Sequence, residues 1–218
     1  MLSETYNSGC IKAMREYDDG AFDWAVVDPP YGNPGSRDAF AAQKGINRAE
    51  VGTNKPQSKK NIAWDVRPPR VYWDELFRIS KNQIVFGGNY FTDILPPSKN
   101  WIIWHKPNIS DAFSMANCEL VWISKPGNAK IISIPSNLDL RGRIHPTQKP
   151  VKLYADIFAR FCKPGDKIID THLGSGSSRI AAHAAGLDFV GYEIDADMFA
   201  KQEERWAAYK ESEGLLWK

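Results

Sequence analysis

The chain has 218 residues, 43% hydrophobic and 25% charged, with 28 Lys and Arg against 26 Asp and Glu. That balance suits one globular domain over residues 1–218 and excludes wholesale disorder or an overall basic field. Apolar runs such as 101–104 and 131–134 are far too short for a bilayer, so no membrane partner is expected; the opening MLSETYNSGC lacks a leader's pattern, which implies a cytoplasmic setting.

In chain order, Ile11, Met14 and Tyr17 recur at helical spacing before the Asp19-Gly20 stop. Residues 22–27 (FDWAVV) are a short apolar run ending abruptly at Asp28-Pro29-Pro30-Tyr31-Gly32, the pattern of a buried parallel strand entering a tight turn. From 33 to 62 apolar periodicity is lost, which reads as a long loop or insertion, and loops of that length usually carry function. A helix is predicted over 71–79, with strands over 83–86 and 101–104. Segments 120–124 and 129–134 flank Lys125-Pro126-Gly127-Asn128 and predict an antiparallel hairpin. Residues 136–148 are polar linker. Leu153, Tyr154, Ile157, Phe158 and Phe161 then share one helical face, with Pro150 where a helix start tolerates it. A strand over 167–170, a glycine-rich turn, a small-residue helix over 177–185 with Gly186 behind it, a strand over 189–192 and a helix to about residue 210 complete the chain. Strands alternating with helices mean an α/β fold: a mostly parallel sheet, helices on both faces.

Two constellations carry chemistry. In the first, strand 167–170, the Gly174-Ser175-Gly176 turn, a helix and strand 189–192 ending at Glu193 make one βαβ unit. Glycines let backbone approach a ligand closely, and the helix start offers unsatisfied N–H groups. Glu193 stands 17 residues after Gly176, where a carboxylate can hold both hydroxyls of an adenosine ribose. Arg179 replaces the third glycine of a dinucleotide site, so a nucleoside ligand such as S-adenosylmethionine fits better than NAD. In the second, Asp28 and the Pro29 carbonyl are two acceptors able to hold both hydrogens of an amino group. Tyr31 can stack on a planar base, and all sit at a strand's C-terminal end, where open α/β sheets bind ligands. Three cysteines (Cys10, Cys118, Cys162) and four histidines show no CxxC or HExxH spacing, so no metal is expected.

Together these motifs resemble a family. Asp28-Pro29-Pro30-Tyr31, then His145-Pro146-Thr147-Gln148-Lys149-Pro150, then Asp170-x-x-x-Gly174-Ser175-Gly176 are similar to the β-class amino-methyltransferases of DNA, in which the catalytic motif precedes the cofactor motif. Gly9-Cys10-Ile11 and the 22–27 strand match the family's opening. The resemblance implies a Rossmann-like, circularly permuted methyltransferase fold using S-adenosylmethionine, leaving S-adenosylhomocysteine as product. Carried over, Asp170, Gly174, Ser175 and Gly176 line the cofactor pocket, Glu193 holds the ribose, and Thr147 and Lys149 lie beside the methionine end. Asp28, Pro29, Pro30 and Tyr31 hold the target base. An Asp-first tetrapeptide is similar to adenine-N6 enzymes, whereas cytosine-N4 enzymes more often begin with Ser. Thr171-His172 stands where the family has Pro-Phe, which puts His172 in the packing position beside the cofactor. Ser8-Gly9 replaces the family's Gly-Asp, removing an acid expected at the cofactor's adenine.

Residues 33–62 carry Arg37, Lys44, Arg48, Lys55, Lys59 and Lys60 against Asp38 and Glu50, a local charge of +4 while the remainder sums to −2. Directly after the tetrapeptide, this segment is placed to grip phosphates of double-stranded DNA, with Arg141 and Arg143 as a second backbone contact. The expectation is therefore site-specific adenine-N6 methylation of DNA in a bacterial or phage-infected cell, of restriction–modification or phage type. The oligomeric state, a homodimer included, is left open. The rivals are the same chemistry on cytosine N4 or on adenine in RNA, a silent DNA-binding relative, and, resting on the Gly-x-Gly turn alone, a nicotinamide oxidoreductase.

Overall fold

The strands are β1 (Ser3–Asn7), β2 (Phe22–Val27), β3 (Ser80–Phe86), β4 (Trp101–His105), β5 (Cys118–Ile123), β6 (Lys130–Ser133), β7 (Lys167–Asp170) and β8 (Asp188–Glu193). The helices are α1 (Cys10–Met14), α2 (Arg70–Ile79), α3 (Val151–Phe161), α4 (Ser177–Ala184) and α5 (Ala196–Leu216). This computed structural model describes residues 1–32, 65–110, 116–139, 143–145 and 147–216. The strands form one sheet in the order β1-β8-β7-β2-β3-β5-β4-β6, parallel except where β5 meets β3 and β4.

The continuous apolar run of β2 follows from its place. It lies between β3 and β7, parallel to both, and both its faces are covered. Trp24 and Val26 join the core formed with α3 and α4, while Ala25 and Val27 join that formed with α1 and α2. Fully buried side chains such as Trp73, Leu76, Ile157 and Phe158 anchor the helices, each contributing roughly 1.5–3 kcal/mol by leaving water. Helix α3 starts after Pro150, and the Val151 N–H donates to Asp139 Oδ2 (2.9 Å), so the polar linker supplies the cap.

The hairpin expected at residues 125–128 does not form. β5 already pairs antiparallel on both edges, with β3 (Ile84↔Ile123) and β4 (Trp101↔Trp122). β6 therefore passes to the far side of β4 and pairs with it in parallel (Ile102↔Lys130). The Pro-Gly turn is held instead by Asn100, whose Nδ2 donates to Lys125 O (2.8 Å). Three smaller differences accompany this. β1 adds an edge strand beside β8, α1 ends at Met14 before Tyr17, and α5 runs to Leu216. Among the described residues no helix is long and apolar enough to cross a membrane.

Candidate active site

β2 and β7 are parallel neighbours (Ala25↔Ile169), so Asp28 and Asp170, 142 positions apart, emerge at the same end of the sheet. β5 runs antiparallel, and its first residues reach that end too; His105 at the end of β4 pairs with Cys118. The site is thus assembled by sheet order.

On the glycine side, Gly174 (φ +53°) and Gly176 (φ +72°) take left-handed backbone, which glycine adopts without strain. Among the described residues, a side-chain carbon on Gly174 would meet only the His172 carbonyl, at 3.8 Å, so none of them fills the space this turn faces. Glu193 braces it: its Oε2 accepts from Gly174 N–H and its Oε1 from Asp195 N–H, both at 2.9 Å. Burial raises its pKa against these donors. Arg205 clamps the other side, donating to Ser175 O (2.8 Å) and Ser177 Oγ (2.9 Å). Asp170 is buried, which pushes its pKa up to about 7 although Ser178 Oγ (2.6 Å) and His172 N–H (3.0 Å) donate to it. No ion pair reaches Asp170 among the described residues. A buried carboxylate without a cation, a glycine turn open on one side and an acid behind it suit a cationic nucleoside.

His172 is held by packing. Its ring meets Tyr72 edge-on (centroids 5.4 Å, 67°), its Nδ1 lies 3.0 Å from Thr171 Oγ1, and Tyr72 Oη lies 2.7 Å from the same hydroxyl. Burial pushes its pKa down to about 4, so the ring is neutral at pH 7. Arg179 points away from the turn. It joins α4 to β1 and α5 through Ser3 (3.1 Å) and Glu203 (2.9 Å), and stacks over Trp206 (4.4 Å).

On the tetrapeptide side, Asp28 Oδ1 accepts from Tyr31 Oη (3.0 Å), and Asp28 Oδ2 is ion-paired with Lys149. Lys149, expected at the methionine end of the cofactor, is 6% exposed and lies between Asp28 and Glu119 (Oε2 at 3.7 Å). Glu119 Oε1 accepts from Lys106 (2.5 Å). Burial opposes the Lys149 charge, yet the two carboxylates outweigh it and hold the ammonium above the usual lysine range. For Glu119 the two ammoniums likewise outweigh burial and hold its pKa down. The Tyr31 ring stacks on Tyr90 (4.5 Å, 15°), and Tyr90 is 43% exposed. Burial, with Asp28 beside it, raises the Tyr31 pKa well above 10 and keeps the hydroxyl a donor.

The linker contributes less. Thr147 is exposed, with its N–H and Oγ1 3.2 and 3.0 Å from His145 Nδ1, and Arg143 Nε donates to His145 O (3.1 Å). Arg37, Lys44, Arg48, Lys55, Lys59, Lys60 and Arg141 lie outside the described residues. Among those described, no cluster could hold a metal ion. Sequence reasoning missed Glu119, Lys106, Tyr90, Tyr72 and Arg205. Two of them left a trace: Glu119 is a lone carboxylate in an apolar strand, and Lys106 ends another such run.

A family model described as DNA methylase, of the N6/N4 methyltransferases, matches residues 97–204, a segment holding the glycine turn, Lys149, Glu119 and Lys106 but not Asp28. The type II methyltransferase M2.MboI of Moraxella bovis is 24% identical over 246 aligned residues, covering 92% of this chain and 86% of its own. Two solved structures share the fold. The putative DNA modification methylase TTHA0409 from Thermus thermophilus, complexed with S-adenosyl-L-methionine, superposes with a TM-score of 0.59 at 17% identity, over 95% of this chain and 96% of its own. The cytosine-N4-specific PvuII DNA methyltransferase also gives 0.59, at 13% identity over 93% and 86%. Permuted motif order, sheet topology and the match over residues 97–204 agree in making the chain similar to the N6/N4 class of DNA methyltransferases.

Proposed function

We propose that the chain methylates the N6 amino group of adenine in double-stranded DNA, with S-adenosylmethionine as donor and the target base turned out of the duplex. The observation that carries this reading is the meeting of Asp28 and the glycine turn at the ends of adjacent strands β2 and β7. A base inside a duplex cannot enter such a cleft, so it must flip.

Bound S-adenosylmethionine supplies a methyl group already activated by the sulfonium charge. The chain then has to hold and orient. Asp170 and Glu193 anchor the donor's polar groups, and the turn, braced by Glu193 and Arg205, fixes its height above the sheet. The exocyclic nitrogen of a base is a poor nucleophile because its lone pair is delocalised. Asp28 and the Pro29 carbonyl accept its two hydrogens and favour the pyramidal form that attacks in line. Tyr31, its hydroxyl fixed on Asp28, and Tyr90 stacked on it offer an aromatic wall for the flipped base. The Asp-first tetrapeptide supports adenine; the same two acceptors would also fit the cytosine amino group.

The test is transfer of a tritiated methyl group to unmethylated duplex DNA, followed by nucleoside analysis. N6-methyladenine from the parent is expected. Asp28→Ala should lose at least about a hundredfold in turnover while cofactor and DNA still bind, the scale of losing one well-placed transition-state partner. N4-methylcytosine would replace the adenine assignment and leave the Asp28 chemistry intact. Equal incorporation by parent and variant would overturn that chemistry.

A further inference from the structure

We propose that Glu119 is a positioning residue that takes Lys149 over from Asp28 when the target amino group arrives. The inference rests on the reading of Asp28 as the acceptor of that amino group.

Both Asp28 oxygens are engaged, Oδ1 by the Tyr31 hydroxyl and Oδ2 by the Lys149 ammonium. An ammonium on the carboxylate withdraws the charge that makes it a strong acceptor, so the resting pair is poorly set to polarise an amino group. Among the described residues Lys149 has one other carboxylate beside it. Glu119 Oε2 is buried, has no hydrogen-bond donor among those residues and stands 3.7 Å from Lys149 Nζ. A shift of about 1 Å brings that gap into charge-assisted hydrogen-bond range.

The surroundings favour such a move. Glu119 is fixed from the other side, because Lys106 donates to its Oε1 (2.5 Å) and lies over the Trp104 ring (4.8 Å). The Lys149 ammonium lies over the Phe86 ring (4.9 Å), an aromatic face that favours a cation beside it. The four groups, Asp28, Glu119, Lys106 and Lys149, sum to zero charge, and moving Lys149 between the two carboxylates leaves that sum unchanged. The handover therefore costs little desolvation, whereas leaving Lys149 with no carboxylate would cost a great deal. The incoming amino group replaces the ammonium as donor to Asp28, and Glu119 Oε2 gains the donor it lacks.

The experiment compares single-turnover methyl transfer, enzyme in excess over unmethylated plasmid DNA, by the full chain and three variants. Dissociation constants for S-adenosylmethionine and DNA, and melting temperatures, are measured on the same proteins. Glu119→Gln is expected to slow transfer by about ten- to a hundredfold while both constants stay within about twofold, since the loss falls on the chemical step. The double variant Glu119→Gln with Lys106→Met restores the charge balance. It should recover the melting temperature and remain slow, because Lys149 still has nowhere to go; it also covers a single variant that does not fold. A parent-like rate in either protein overturns the handover. The third variant separates the two ideas: slow Asp28→Asn with parent-like Glu119→Gln removes only the handover, and parent-like Asp28→Asn removes the reading of Asp28 beneath it.

Discussion

Asp170 and His172, two residues apart, are displaced in opposite directions by the same burial. The folded state holds the Asp170 proton up to about pH 7 against an ordinary 3.8, so its contribution to stability is full below about pH 4 and is lost as pH rises to 7. His172 favours the neutral ring down to about 4 against an ordinary 6.5, so its contribution is lost as pH falls through that window. Between pH 4 and 6.5 the two offset one another, and stability is a poor reporter of either. Cofactor affinity is a better one. If the ionised Asp170 receives the cationic donor, the dissociation constant should fall with rising pH by up to about tenfold per unit and level off above 7. Calorimetric titration from pH 5.5 to 8 checks this; Asp170→Asn should bind weakly and with a flat profile, and a sloping profile in that variant would place the titrating group elsewhere. At this scale the sequence was informative about Asp28 and Asp170, because both end apolar strands. Glu119 left only the trace of a lone carboxylate in an apolar strand, which names no partner, because its partners come from segments 13 and 30 positions away.

At the scale of elements, the βαβ unit from β7 to β8 was legible because its signals are local: a strand, two glycines, small residues, a strand and an acid. The hairpin reading failed because strand pairing is settled by which edges are already taken, and nothing in residues 120–134 tells that β5 will be flanked by β3 and β4. β1 escaped notice since its residues, SETYN, show no apolar alternation. Two substitutions probe how elements set the site. Gly87, past the end of β3, has φ +64°, and a side-chain carbon there would come within 2.2 Å of the Tyr31 ring. Gly87→Ala should displace Tyr31 from Asp28 and cut methyl transfer by about tenfold or more while S-adenosylmethionine still binds. Equal loss of cofactor binding would mean that β3 itself had been disturbed. Arg205→Met removes the clamp from α5 to the glycine turn but keeps most of the stem. Losing two hydrogen bonds from a charged donor, each worth about 1.5–3 kcal/mol where buried, should weaken cofactor binding at least about tenfold. Thermal-shift titration against the parent measures it; an unchanged affinity would show the turn to be rigid without α5.

Across the whole molecule, charge is nearly balanced, and the excess is concentrated in residues 33–62. DNA affinity should therefore fall steeply with salt through that segment. Lys59→Ala with Lys60→Ala should flatten the log–log slope by about one to two units, one for each phosphate no longer neutralised. Unchanged affinity and slope would place the DNA path on another surface. The sheet order bears on synthesis as well. β2 appears within the first 27 residues, but its neighbour β7 is not complete until residue 170, and β1 waits for β8 still longer. A chain emerging from the ribosome thus carries two open strand edges until β7 and β8 follow, and the halves of its active site first meet once β7 and the glycine turn have been made. Premature release would yield a fragment with exposed edges and no cofactor turn, prone to associate rather than to act.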